Sequence, residues 1–172
     1  GADIIYSGNG SDTIIIRSGD GGPTQSAGDT VSDFSDGNDS IGLAAITFGA
    51  LTIDQVGSDT VIKEGSNFLT TLTGISASAI TAVDFQSTST SAVTYNGTSD
   101  NDTMVGGAGG DTFNGGAGND TLYGWGGNDT FNITSKSGSF ADIIDGGAGT
   151  DTLDISYSGV TSLANFTIST SG

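Results

Sequence analysis

The chain has 172 residues, 20 of them acidic against Arg17, Lys63 and Lys136, for a formal charge of −17; 19 of the acids are aspartate and Glu64 is the exception. That balance excludes nucleic acid as a partner, because phosphate binding needs lysine or arginine, and it disfavours an anionic membrane surface and insertion there. Cysteine and histidine are absent, which removes disulfides, thiolate-bound zinc and the serine–histidine and cysteine–histidine nucleophile systems.

Taken in chain order, residues 1–35 open with "GAD", Asp3 standing two places before Ile5, and continue with "SGNGSDTII", Asp12 two places before Ile14. The chain begins in mid-pattern, as expected of a piece of a longer protein. Looser echoes of the phrase fall at Asp29, Asp39 and Asp59. Residues 36–90 carry longer alternating runs, "LTIDQV", "DTVIKEG" and "FLTTLTGI", which read as antiparallel strands. With Phe34 just before them, their apolar residues Ile41, Leu43, Phe48, Leu51, Ile53, Val61, Ile62, Leu69, Leu72, Ile75, Ile80 and Phe85 form a candidate compact cap, while "SASAITAVDF" reads as either a short helix or a turn. Residues 91–96 lie in a polar stretch that reads as a linker. Residues 159–172 read as a tail or the start of another module, and isolated aspartates such as Asp20, Asp54 and Asp84 as solvated loop residues.

Residues 97–158 carry a nine-residue period with one interruption. Asp102, Asp111, Asp120 and Asp129 are spaced by nine, and Met104, Phe113, Leu122 and Phe131 follow each by two places. After Asn132 an insertion around Lys136 interrupts the register, which resumes with Asp142 before Ile144 and Asp151 before Leu153. The nines 106–114 "GGAGGDTFN", 115–123 "GGAGNDTLY" and 146–154 "GGAGTDTLD" resemble the RTX, or haemolysin-type calcium-binding, nonapeptide Gly-Gly-x-Gly-x-Asp-x-apolar-x. Residues 97–105 keep the first glycine, the aspartate and the apolar place. Residues 124–132 set Trp125 where the second glycine belongs, so that turn must tolerate a side chain or adopt another shape. The resemblance implies an all-β fold: parallel β-roll blocks, with two strands and two turns per coil of 18 residues, and the antiparallel segment as a cap between them.

The repeat also has a physical reading. Its glycines suit a tight turn that needs positive φ, and a three-residue strand can turn only its middle side chain inward. One apolar residue per nine contributes roughly 1.5–3 kcal/mol when buried, against an ordering cost on the order of 1.5 kcal/mol for each residue. A hard cation taking six to eight oxygen ligands supplies the missing stabilisation, and calcium fits better than magnesium, which rarely accepts an all-protein cage. The expected calcium ligands are Asp102, Asp111, Asp120, Asp129, Asp142, Asp151, Asp3 and Asp12, with the turn glycines Gly107, Gly109, Gly116 and Gly118 contributing carbonyls. Stacked carboxylates repel without metal and attract through it, so folding and binding become one event.

Several calcium ions are the expected cofactors, and an extracellular setting follows because sites of about 10⁻⁴–10⁻³ M affinity stay empty in cytosol. Catalysis is not expected, since the aspartates in register already have a metal role. Two roll blocks around a cap suggest a structural or adhesive surface protein, part of an adhesin, surface layer or filament. The alternative is the calcium-folding module of a secreted hydrolase or toxin exported by a one-step secretion system. Other copies of the chain or surface glycans are the candidate partners, with Tyr123 and Trp125 as an aromatic pair to watch.

Overall fold

The computed structural model describes residues 1–134, 141–155 and 167–169, the last three by backbone alone. The chain forms two compact units, Gly1–Ser87 and Thr88–Gly172.

In the first unit β1 (Ile4–Ile5), β2 (Thr13–Arg17), β3 (Asp29–Val31), β4 (Ser40–Ala44), β5 (Leu51–Val56), β6 (Asp59–Glu64), β7 (Asn67–Leu72) and β8 (Phe85–Ser87) make two sheets, ordered β1-β3-β7-β6-β5 and β2-β4-β8. β-branched residues drive the short strands. In "TIIIR" of β2, Ile14 and Ile16 are buried while Ile15 points out. Both tight hairpins, β5–β6 and β6–β7, close over a Gly-Ser pair, Gly57-Ser58 and Gly65-Ser66, with each glycine left-handed at φ 65° and 58°. That is the backbone sense a two-residue hairpin demands.

Among the described residues the antiparallel strands are β5, β6 and β7, with one further antiparallel bridge between Gly22 and Phe68, and the first 35 residues do not form a separate roll. β1 pairs parallel with β3 and β3 with β7, while β2 pairs parallel with β4 and β4 with β8. A parallel two-sheet coil thus runs from Ile4 to Ser87, with the β5–β6 hairpin inserted in its last turn. The nine-residue rhythm is lost because the coil is longer: Asp3 and Asp12 meet their counterparts 26 and 27 residues on. The expected core is largely in place. Phe34, Ile41, Leu43, Val61, Ile62, Leu69, Leu72, Ile80 and Phe85 are buried, whereas Phe48, Leu51, Ile53 and Ile75 are half-buried. "SASAITAVDF" resolves into turns, a 3-10 turn at Ala82–Asp84 and the start of β8.

The second unit is a regular parallel roll. β9 (Thr94–Asn96), β11 (Thr112–Asn114), β13 (Thr130–Asn132) and β15 (Thr152–Asp154) form one sheet; β10 (Thr103–Val105), β12 (Thr121–Tyr123), β14 (Ile143–Asp145) and β16 (Thr167–Ser169) form the other. The stretch expected as a linker, 91–96, instead contains β9, because Tyr95 takes the inward place beside Phe113. β16, within the expected tail, pairs with β14. The insertion around Lys136 lies outside the described residues, but pairing stays in register across it, Leu122 with Ile144 and Phe131 with Leu153.

The apolar residues separate into two rows. Met104, Leu122 and Ile144 line one sheet, while Tyr95, Phe113, Phe131 and Leu153 line the other. Tyr95 stacks on Phe113, and Phe113 on Phe131, each pair with ring centroids 4.9 Å apart. Such pairs add about 0.5–1.5 kcal/mol beyond their area. Ile133, just after β13, is also fully buried.

Candidate metal-binding turns

Each repeat turn is shaped around its aspartate. At the first place of the nine, a Cβ added to Gly97, Gly106, Gly115, Gly124 or Gly146 would lie 3.0, 2.8, 2.9, 2.3 or 2.3 Å from Oδ2 of Asp102, Asp111, Asp120, Asp129 or Asp151. Glycine is needed there for close approach and not for backbone freedom: the carboxylate folds back over it, and at Gly97, Gly106 and Gly124 the carbonyl of the next coil also lies 2.2, 2.6 and 2.5 Å from the added Cβ. In that position Asp111 Oδ2 accepts the Gly107 N–H at 3.0 Å and Asp102 Oδ2 the Thr98 N–H at 2.7 Å.

The other carboxylate oxygen ties one coil to the next. Asp120 Oδ1 accepts the Asp102 N–H and Asp142 Oδ1 the Asp120 N–H, at 3.0 and 2.8 Å. On the opposite edge, Asp111 accepts from Val93, Asp129 from Asp111 and Asp151 from Asp129, at 2.8, 2.7 and 3.0 Å. Asp102, Asp120 and Asp142 therefore share one edge, and Asp111, Asp129 and Asp151 the other. The stacked carboxylates are bridged by backbone N–H groups and do not simply face each other. The preceding asparagines run the ladder the other way: Asn101 accepts from Asn119, Asn119 from Ala141 and Asn128 from Thr150. Each turn is thus hydrogen-bonded to both neighbours.

The turn glycines divide by role. Gly116 and Gly118 are left-handed, at φ 83° and 96°, and a Cβ on either would also strike backbone of the coil below, Thr98 O at 2.2 Å and Asp100 O at 2.3 Å. Gly107 and Gly109 lie outside the left-handed region, against the expectation that these turns need positive φ. At Gly109 the requirement is close approach, since a Cβ would fall 2.5 Å from the Ser91 carbonyl carbon. The Gly107 carbonyl receives the Gly126 N–H at 2.8 Å.

The tryptophan turn keeps the roll geometry. Trp125 holds φ 70° and its carbonyl accepts the Ala148 N–H at 2.7 Å. Its ring is half-buried, its indole N–H has no hydrogen-bond partner, and Tyr123 is half-buried too. Unlike Asp111, Asp129 receives no N–H from its own turn: its Oδ2 is buried without a partner. Burial pushes the Asp129 carboxyl up to about 6; the Asp111 N–H opposes this, and the charges of Asp111 and Asp151 add to it.

The first unit repeats the ladder. Asp3 donates its N–H to Asp29 Oδ1 and Asp12 to Asp39 Oδ1, at 2.9 and 3.1 Å, while Asp39 Oδ2 accepts the Ser35 N–H at 2.9 Å. Asp33, which the Asp-x-apolar phrase does not mark, accepts the Gly8 and Ser7 N–H groups, which hold its carboxyl below the usual range. The signal for this turn was the spacing Ser35 to Asp39, which matches Gly107 to Asp111. Asp59 lies off the ladder, accepting the Gly74 N–H beside a hairpin. Asp84 is 4% exposed, not solvated, and caps the 3-10 turn through the Thr81 N–H. Asp54 pairs with Lys63, and Asp20 accepts the Arg17 N–H.

A cation fits these turns on their own chemistry. Asp129 Oδ2 and Asp12 Oδ2 are buried carboxylate oxygens without a donor, and a buried unpaired anion is costly unless a cation neutralises it. Among the described residues no three acidic side chains converge as a metal cluster, so an ion here would draw on turn carbonyls as well as carboxylates, a donor set calcium accepts.

Fold and turns together define a parallel β-roll whose edges are lined with carboxylates. A family model for the RTX calcium-binding nonapeptide repeat matches the chain in four copies, over residues 1–21, 96–131 and 136–154. These segments match the repeat of a family whose arrays bind several calcium ions and occur in secreted proteins. No curated protein matches the chain.

Proposed function

We propose that this chain is a calcium-rigidified segment of an extracellular structural or adhesive protein. Asp102, Asp120 and Asp142 on one edge, and Asp111, Asp129 and Asp151 on the other, hold calcium together with carbonyls of the intervening turns, among them Gly107, Gly109, Gly116 and Gly118. Asp3 and Asp12 do so in the first unit with Asp29 and Asp39. The observation that carries this reading is the buried, donorless Oδ2 of Asp129 within the carboxylate ladder.

The structural role is favoured over a secretion module because both units are built on parallel two-sheet coils. The hairpin β5–β6, outermost in its sheet, blunts that edge with the Lys63–Asp54 pair. Self-association and glycan binding belong to the same reading. The test is circular dichroism of the metal-stripped chain titrated with calcium: a cooperative gain of β-structure is expected. An unchanged spectrum, with the roll already formed in chelator, would remove the calcium-folding role.

A further inference from the structure

Asparagine is followed by glycine three times, at Asn9-Gly10, Asn96-Gly97 and Asn114-Gly115. This dipeptide is chemically labile because no Cβ shields the glycine nitrogen from the asparagine side chain. The nitrogen attacks Cγ, ammonia leaves with the amide nitrogen, and water opens the resulting succinimide at either carbonyl. The product is aspartate or isoaspartate; one water is consumed and one ammonia released, and no other reactant is needed.

We propose that Asn9 is a site of spontaneous deamidation in the folded protein, and that Asn96 and Asn114 are latent sites held unreactive by the roll. Asn9 is exposed between Gly8 and Gly10, at φ 95° and 124°, and a Cβ on either glycine would meet nothing within 4 Å. Among the described residues the Gly10 N–H meets no hydrogen-bond acceptor, so the attacking nitrogen is free to approach.

The other two pairs are held on both sides of the reaction. The Gly97 N–H donates to Asn114 O at 2.8 Å and the Gly115 N–H to Asn132 O at 3.3 Å. Asn114 Nδ2 donates to Asn96 Oδ1 at 2.7 Å, and Asn132 Nδ2 to Asn114 Oδ1 at 2.8 Å. Nucleophile and electrophile are thus locked into parallel ladders, and reaction requires a coil to open. Isoaspartate would then add a methylene to the backbone of β11 or β9 and break the register, so the latent pair converts a transient opening into permanent damage. The calcium dependence of that opening rests on the function proposed above; the three site assignments do not.

The experiment incubates the full chain at mildly alkaline pH in calcium, in chelator and in urea, and follows each asparagine by peptide mass spectrometry. In calcium, Asn96 and Asn114 should deamidate at least about tenfold more slowly than Asn9, as expected of groups that react only from an opened state. In urea the three should converge. Asn96 or Asn114 keeping pace with Asn9 in calcium, or Asn9 being as slow as they are, overturns the assignment. A chelator arm that follows urea supports calcium gating; one that follows the calcium arm overturns the gating and leaves the sites standing. The variant Asn9→Gln should lose the early acidic species on ion exchange with its circular dichroism unchanged, and persistence of that species overturns the Asn9 assignment.

Discussion

Replacing Asp120 by alanine separates the two edges of the second roll. Asp120 is 0% exposed, and its Oδ1 accepts the Asp102 N–H at 3.0 Å. The substitution removes a charge-assisted hydrogen bond, about 1.5–3 kcal/mol, and leaves the Asp102 N–H, at a half-buried residue, to find water. For a unit of this size each kcal/mol moves the midpoint by about 4–8 °C, so the calcium-loaded protein should melt roughly 6–24 °C lower. Amide hydrogen exchange locates the effect. The N–H groups of Asp102 and Thr121, which donates to Asp102 O at 2.8 Å, should lose protection. Those of Asp111 and Thr130 on the opposite edge should keep theirs, since Asp129 Oδ1 and Asp111 O still hold them. Equal loss on both edges, or an unchanged melting temperature, would refute the two-edge ladder.

Gly124→Ala should lower the melting temperature and raise the calcium needed for folding, because its Cβ falls 2.3 Å from Asp129 Oδ2 and 2.5 Å from Gly146 O. Gly126→Ala, with nothing nearer than 3.8 Å, should stay within about 0.5 kcal/mol of the parent in the same titration. Phe113→Ala removes the middle ring between Tyr95 and Phe131 and should cost about 3–5 kcal/mol in calorimetry; a cost near that of a surface substitution would contradict the stack. The Asp129 carboxyl, raised to about 6 from 3.8, binds its proton more tightly in the folded roll, so its ionised form destabilises the metal-free roll above about pH 6. That penalty shrinks as pH falls from 6 towards 3.8. In chelator, the β-structure read by circular dichroism should therefore increase between pH 7 and 5, an increase Asp129→Asn should abolish.

The nine-residue register made the strands of the second roll, their inward residues and the pairing of aspartates across coils legible before any coordinates. One apolar residue after each aspartate admits a single strand phase, and a side-chain slip of one would bury threonine. Less legible were contacts between coils. The first glycine of a nine is set by the carboxylate five residues on and, at Gly97, Gly106 and Gly124, by the carbonyl of the next coil, and Gly109 by backbone of the preceding coil; both read in sequence as ordinary turn glycines. Tyr95 was hidden in a polar stretch because its partner, Phe113, lies on the next coil.

In the first unit, local pattern pointed to an antiparallel cap, and the Gly-Ser hairpins that justify part of that reading are present. Parallel pairing of β3 with β7 and of β4 with β8 spans 41 and 44 residues, a separation at which no periodicity survives to mark it. Aspartates there followed the same division: Asp3 and Asp12 announced themselves by the tripeptide, whereas Asp33 acquired its role from Ser7 and Gly8 a coil earlier. Sequence alone determined the repeat, its charge and its need for a cation, because each is written within nine residues. Tertiary structure alone decided which carboxylate oxygens are satisfied and which, like Asp129 Oδ2, remain buried without a donor, because hydrogen-bond supply depends on the coil above and below.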